Sequence, residues 1–488
     1  MIVLVLGDVG RSPRMQYHAL SLAQSEAARV FLVGYVGERC VPAVEAQGSK
    51  IVHIRLSADL LPRPKARALY LVYAPLKAIL QLAQLLWTLL VRLPVPAVLL
   101  VQNPPAIPTL AAAFVARALR GGAVVVDWHN LGFSVLQHSL REGHPFVRWS
   151  MVYERFFGRR LDGHLCVTHA MGRWLEDEWG VAARVLHDRP PSFFRRLSIA
   201  ERHGLLRRLA PQFVDASGAP VWPLEGASAA AEGGGGGGGA SPWDDGGTPW
   251  SSSPEVERPD KPRLLVSSTS WTADEDFGIL LDALRALDGM LDATSAAASS
   301  ARSIGPRVVA VITGKGPLKE HYRGLMRAMQ LRHVAVCTMW LEPSDYPALL
   351  GSADLGVSLH TSTSGLDLPM KVLDMYGCGL PVCAMGFACL NELVRDGENG
   401  RVFRTSEELA EQLVALLAPS PSASAALAQL REGVVAAEAG RPRWAQNWSA
   451  AAAPLLVPSR DDGKRRGILR FALGMLCFVT ILWLYLQV

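Results

Sequence analysis

The chain reads as an α/β protein with two doubly wound, Rossmann-like halves facing a cleft, followed by a hydrophobic tail. Three observations predict this. Short apolar runs alternate with helical stretches from the first residue, the alternation restarts at Leu264 after a low-complexity interval, and the last 18 residues carry no charge.

"MIVLVLGDVG" has only six apolar residues before Gly7 and no basic start, so it fits a buried first strand better than a signal sequence. A helix from about Pro13 to Ala28 follows. Further strands are expected at Val30 to Gly34, Ile51 to Ile54, Ala97 to Gln102, Ala123 to Asp127 and Gly163 to Val167, within a first domain over 1–200. The interval Asp215 to Lys261, with its seven glycines Gly233 to Gly239, is too poor in apolar residues to offset ordering entropy and is expected to be disordered. A second domain over 262–440 has expected strands at Leu264 to Ser268, Arg307 to Thr313, Val334 to Thr338, Leu355 to Ser358 and Pro381 to Ala384. An Ala/Ser stretch, Asp292 to Ile304, reads as a loop insertion, and 441–458 as a helix.

Two apolar stretches raise the question of a membrane. Phe471 to Val488 would reach roughly 27 Å as a helix, enough for a thin bilayer. Lys464, Arg465, Arg466 and Arg470 precede it, so 468–488 is expected to be a single-pass tail anchor with the body of the chain in the cytosol. Ala78 to Val91 is too short to span and leaves two readings open, a core helix or an amphipathic helix lying in an interface. The net charge of +5, much of it in that one basic cluster, argues against nucleic acid as a partner. Seven cysteines without a CxxC pair suggest buried, reduced thiols and no zinc site.

The chemistry gathers at expected strand ends. "HTSTSGLDLPMKVLDMYGCGLPV" places a Ser/Gly turn and Pro369 at a helix start, where free N–H groups attract phosphate. Lys371 and Asp374 share a face of that helix; they suit a diphosphate and ribose hydroxyls, or a plain surface ion pair. "ITGKGPLKEHY" sets Lys315 between Gly314 and Gly316 without Walker A spacing, close to the hydroxyls of Ser268 and Thr269 at a neighbouring strand end. In the first half, "GDVGRSPRMQYHA" puts Gly7, Gly10 and Arg11 at a strand end, and "DWHN" puts Asp127 and His129 at another. His18 could equally be buried by its helix.

Those motifs, with "QNPP", "YERFFGR", "LLVSSTSWTADEDF" and "ENGRVF", resemble the chitobiosyldiphosphodolichol beta-mannosyltransferase family over about Ile2 to Phe194 and Arg263 to Val457. The resemblance implies a GT-B fold and transfer of mannose from GDP-mannose, with inversion, to GlcNAc2-diphosphodolichol. The product would carry the first, beta-1,4-linked mannose of the lipid-linked oligosaccharide, made at the cytosolic face of the endoplasmic reticulum. Carried over, Ser268, Thr269, Lys315 and Gly316 would surround the diphosphate, Asp367 and Lys371 would face the sugar and phosphates, and Asp374 would take the ribose. The acids are aspartates where wider GT-B enzymes have paired glutamates, and the first is displaced by one residue.

The family commonly has an N-terminal membrane helix, which the tail here would replace. His129 is the first candidate for the base that deprotonates the acceptor, with His18 and Asp127 next. No cofactor is expected to be tightly bound and no metal is compulsory, although a divalent cation could stimulate turnover. Other mannosyltransferases of the pathway are expected partners. Two rival readings are a related alpha-mannosyltransferase and a non-catalytic membrane scaffold of the same fold.

Overall fold

The computed structural model describes residues 1–457 except 26–28, 36, 59, 63, 65, 67–68, 141–142, 222–246, 273–274, 298–305 and 343. The seven glycines and the expected tail anchor lie outside the described residues. The chain forms two units, Met1–Asp188 together with the chain from Pro442, and Arg189–Arg441.

The first unit contains seven parallel strands, β1 (Ile2–Asp8), β2 (Val30–Tyr35), β3 (Ile51–Leu56), β4 (Val98–Asn103), β5 (Ala123–Trp128), β6 (Gly163–Cys166) and β7 (Arg184–Val185), in the order β3-β2-β1-β4-β5-β6-β7. The order reverses between β1 and β4. At such a switch the crossovers leave to opposite faces of the sheet, opening a crevice beyond the strand ends. The near-continuous apolar runs of β1 and β4 are explained by burial on both faces: Val3, Leu4, Val5, Leu100 and Val101 are inaccessible to solvent.

The second unit has a small antiparallel pair, β8 (Ser251–Ser253) and β9 (Val256–Glu257), and a parallel sheet. Its strands are β10 (Arg263–Ser268), β11 (Val308–Thr313), β12 (Val334–Met339), β13 (Leu355–Ser358), β14 (Val382–Met385) and β15 (Gly400–Phe403), ordered β12-β11-β10-β13-β14-β15. The switch falls between β10 and β13, and the β10/β11 register sets Ser268 beside Thr313.

Three sequence expectations need correction. The expected disorder of 215–261 does not extend through Thr248 to Lys261, where Trp250 is buried against Phe213 at 5.6 Å and the β8/β9 pair forms. The buried indole removes about 150–250 Å² from water and so contributes to ordering this polar segment. The Ala/Ser stretch is helical as far as Ala297, as the end of the helix Phe277–Ala297. The first unit ends at Asp188 rather than near residue 200, and the chain returns to it from Pro442. The helix Trp444–Ala451 seats Trp448 in the first unit's core, and Trp448 Nε1 donates to His18 Nδ1 at 3.0 Å.

Candidate functional site

In the first unit, chemistry converges on Asp127 at the end of β5. The helix Pro13–Gln24 presents Arg14 and His18, four residues apart and therefore on one face, toward it. Arg14 Nε and Nη2 donate to Asp127 Oδ2 and Oδ1 at 2.7 and 2.8 Å, a bidentate pair, while Nη1 donates to Asp188 at 2.9 Å and to the Leu186 carbonyl at 2.7 Å. His18 Nε2 lies 3.2 Å and His129 Nε2 lies 2.8 Å from Asp127 Oδ2. Burial pushes the Asp127 pKa upward, but the charge of Arg14 and the two imidazoles outweigh it and hold the carboxyl well below the usual range.

This geometry separates the three base candidates. His18 and Asp127 are fully buried, so neither presents an atom to a substrate. Burial lowers the His18 pKa more than Asp127 raises it, keeping the ring neutral, and both its nitrogens are engaged. His129 is 23% exposed, and its hydrogen bond to Asp127 through Nε2 leaves Nδ1 as the basic nitrogen. Asp127 and His18 are thus corrected from bases to groups that position His129.

Sequence reasoning missed Glu154. It accepts from the Gly132 and Phe133 amides at 2.8 and 3.3 Å and from Asn103 Nδ2 at 3.4 Å, and Asn103 also donates to the Asn130 carbonyl at 3.2 Å. The "QNPP" and "DWHN" turns are tied together through it, and burial pushes its pKa up to about 7. The single acid of the helix Pro145–Gly158, set among aromatic and aliphatic residues, was the available signal. Gly10 is required by close packing, since a Cβ would sit 2.2 Å from the Glu38 carbonyl oxygen, whereas Gly7 lies within β1 and meets only ordinary contacts. Arg11 is exposed. Cys40, Glu45 and His53 bring their ligand atoms within 4.8 Å of one another beside a cavity of about 520 Å³, a grouping that cysteine spacing did not reveal.

In the second unit the organising carboxylate is Glu275, which the "WTADEDF" segment offered among other acids without distinguishing it. Glu275 accepts from the Thr269 hydroxyl at 2.6 Å and the Ser270 amide at 2.9 Å, and pairs with Lys371. The Thr269 hydroxyl oxygen also accepts from the Trp271 amide at 2.9 Å, so it is occupied in shaping the loop and does not fit its expected phosphate role. Ser268 donates to Tyr346 at 3.1 Å and lies 3.3 Å from the Thr313 hydroxyl.

Gly314 and Gly316 admit the backbone of the neighbouring loop: a Cβ on either would lie 1.8 Å from the Thr269 or Ser270 carbonyl oxygen. Trp271 adopts a φ of 49°, held by its buried ring against Phe277 and Tyr322, and its Nε1 donates to the Gly314 carbonyl at 3.3 Å. Lys315 Nζ stands 3.5 Å from the centre of the half-exposed Trp340 ring.

The helix Met370–Gly377 starts at Pro369 without a side-chain cap, leaving first-turn amides available to an anion. Lys371 pairs with Glu275 instead of Asp374, so the surface-pair reading fails. Among the described residues Asp374 has no ion-pair partner, and desolvation pushes its pKa up to about 7. Asp367 is held by Ser362 and Ser364, with His360 Nε2 3.8 Å from its other oxygen. The site residues of each unit therefore gather beyond the C-terminal ends of strands that flank its switch point or lie next to those that do.

Comparisons with known proteins agree with this architecture. The Glycosyl transferase 4-like domain matches residues 10–190, and Glycosyl transferases group 1 matches 278–419. HepE from Anabaena, solved with UDP and glucose, superposes with a TM-score of 0.56 at 13% identity, covering 92% of this chain and 98% of its own. WaaG, a glycosyltransferase involved in lipopolysaccharide biosynthesis, gives 0.54 at 12% identity, covering 94% and 98%. These likenesses show the GT-B fold.

Among sequence relatives, the Arabidopsis thaliana protein named UDP-glycosyltransferase TURAN is 44% identical over 93% of this chain and 96% of its own. The Mus musculus and Homo sapiens proteins named chitobiosyldiphosphodolichol beta-mannosyltransferase are 43% and 42% identical, each over 94% of this chain and over 89% and 92% of their own. With its two parallel sheets, its strand-end constellations and this near full-length identity, the chain belongs to the chitobiosyldiphosphodolichol beta-mannosyltransferase family.

Proposed function

We propose that the chain transfers mannose from GDP-mannose to GlcNAc2-diphosphodolichol, forming a beta-1,4 linkage with inversion. The observation that carries this reading is the identity of 42–43% over 94% of the chain with relatives named chitobiosyldiphosphodolichol beta-mannosyltransferase. The site chemistry supports it. His129 Nδ1 takes the proton from the acceptor O4 as that oxygen attacks C1 of mannose and the C1–O bond to GDP breaks. Asp127 fixes the imidazole tautomer and stabilises the imidazolium that forms, and Arg14 keeps Asp127 ionised. The charge leaving on GDP is met by Lys315, Lys371 and the first-turn amides of Met370–Gly377, while Asp374 accepts from the ribose.

We also place the enzyme at the endoplasmic reticulum membrane, with 468–488 as a single-pass anchor and both units cytosolic. The basic residues 464–466 and Arg470 support that orientation. In this arrangement the sequon at Asn447 stays unglycosylated, although it satisfies N-x-S.

The test is transfer by the purified full chain from GDP-mannose to a GlcNAc2-diphosphate lipid, with UDP-sugars as competing donors. The expected product is cleaved by beta-mannosidase. Cleavage by alpha-mannosidase alone would establish the alpha rival, preference for a UDP-sugar would overturn the donor, and GDP binding without transfer would establish a scaffold.

A further inference from the structure

Cys40, Glu45 and His53 belong to neither carboxylate network. The chain leaves β2 at Tyr35, turns through a short helix, Pro42–Glu45, and returns as β3, and this connection gathers one thiol, one carboxylate and one imidazole. Their ligand atoms all lie within 4.8 Å of one another. Cys40 is a free cysteine, and among the described residues none of the three side chains has a hydrogen-bond or ion-pair partner.

The backbone on either side of Cys40 is already held. The Glu38 amide donates to Asp8 Oδ2 at 3.0 Å, and the Val41 amide donates to Gln16 Oε1 at 2.7 Å. His53 stands on β3, in parallel register with Leu32 of β2. Two of the three donors are thus placed by main chain that the fold fixes, while the exposed side chains of Glu45 and His53 keep the freedom to close.

A tetrahedral zinc ion bonds sulfur at about 2.3 Å and nitrogen or oxygen at about 2.0–2.2 Å, which sets its ligand atoms roughly 3.3–3.6 Å apart. Closing the group from 4.8 Å needs only about 1 Å of movement, within reach of two exposed side chains. The adjoining cavity of about 520 Å³ has room for water as a fourth ligand.

Charge selects a cation. Burial first, then the charges of Glu45 and Asp8, push the Cys40 thiol up to about 11, so the field at the sulfur is negative. A dication reverses that field and displaces the thiol proton; with one thiolate and one carboxylate it forms a neutral centre. Sulfur and imidazole in one set favour zinc over calcium or magnesium, which take oxygen ligands.

We propose that Cys40, Glu45 and His53 bind one zinc ion, with water as the fourth ligand. The ion ties the connection after β2 to β3. That connection packs on the turn after β1: a Cβ at Gly10 would lie 2.2 Å from the Glu38 carbonyl oxygen, and one at Gly37 would lie 2.3 Å from the Asp8 carboxylate. Zinc therefore stiffens the turn that carries Gly10 and Arg11 beside the first unit's switch point.

The test uses Co²⁺ as a coloured substitute for zinc. The full chain, purified without a polyhistidine tag and stripped with chelator, is titrated anaerobically with Co²⁺ and then with Zn²⁺. One Co²⁺ per chain should produce a thiolate-to-cobalt charge-transfer band and visible bands of tetrahedral intensity, and Zn²⁺ should bleach both. Cys40→Ser should abolish the charge-transfer band. His53→Ala and Glu45→Gln should each weaken cobalt binding at least about tenfold, with the parent's circular dichroism retained. Zn²⁺ should raise the melting temperature of the parent and leave that of Cys40→Ser unchanged. A parent without the charge-transfer band, a band that survives Cys40→Ser, or cobalt binding indifferent to His53→Ala would overturn the proposal.

Discussion

Asp127 in the first unit and Asp374 in the second are both carboxylates withdrawn from water, and burial has opposite outcomes in them. Asp127 has Arg14 bidentate against it and two imidazoles on one oxygen, so it stays ionised to unusually low pH. Asp374 has no such partner among the described residues, and its pKa is pushed up to about 7. A buried charge with all its partners inside the protein holds structure in place. One without them has capacity left for a ligand, at some cost to the fold.

The most damaging way to break this contrast is Asp127→Ala. It leaves Arg14 buried with only Asp188 as counter-ion and should cost about 3–5 kcal/mol in chemical denaturation. Transfer should be lost with it, because His129 loses its tautomer partner. In the parent, the stabilisation from Asp127 is present above the ordinary carboxylate pKa and disappears only as pH falls through its depressed folded value. The acid side of the stability curve, below about pH 4, should therefore flatten in the variant.

His129→Gln separates chemistry from structure. If His129 is the base, kcat should fall by about 10²–10⁴-fold while GDP affinity and stability stay at parent values. A variant that retains kcat would remove the assignment.

Asp374→Ala should weaken GDP binding by about 1.5–3 kcal/mol, roughly ten- to a hundred-fold in calorimetry. Parent GDP affinity should rise with pH through about 7 as the carboxylate forms, and that slope should vanish in Asp374→Asn. The stability sign is opposite to that of Asp127. The unfolded carboxyl ionises near pH 4 while the folded one keeps its proton, so the parent loses stability between about pH 4 and 7. Asp374→Asn should be more stable than the parent above pH 7 and equal to it below pH 4; a variant less stable throughout would show that Asp374 has a partner.

The smallest effect should come from excising 222–246, which supplies no residue to either network as described and should leave both readouts unchanged. Extending the cut to Pro254 removes Trp250 and should cost about 3–5 kcal/mol.

Much of this was legible in the amino-acid order. Apolar runs of four to seven residues located ten of the expected strands to within two residues at either end, because parallel strands buried on both faces must be continuously apolar. β7 and β15 were not anticipated: Arg184 is exposed, and only the two ends of Gly400–Phe403 are buried, so neither segment carries a continuous apolar run. The strand-end position of His129, Lys315 and Asp374 followed from the same alternation.

What the order of residues could not decide was which polar groups pair. Lys371 and Asp374 share a helix face, yet the lysine goes to Glu275, 96 residues earlier. His129 was the first candidate for the base and His18 a runner-up, and only folding separated them physically, burying His18 and leaving His129 part-exposed. Trp250, in a segment whose composition reads as disordered, became a core residue because a cavity formed by distant residues was there to receive it. Local sequence determines backbone periodicity through sterics and side-chain spacing. Burial and charge pairing depend on neighbours brought together from across the chain, and only the tertiary structure supplies those.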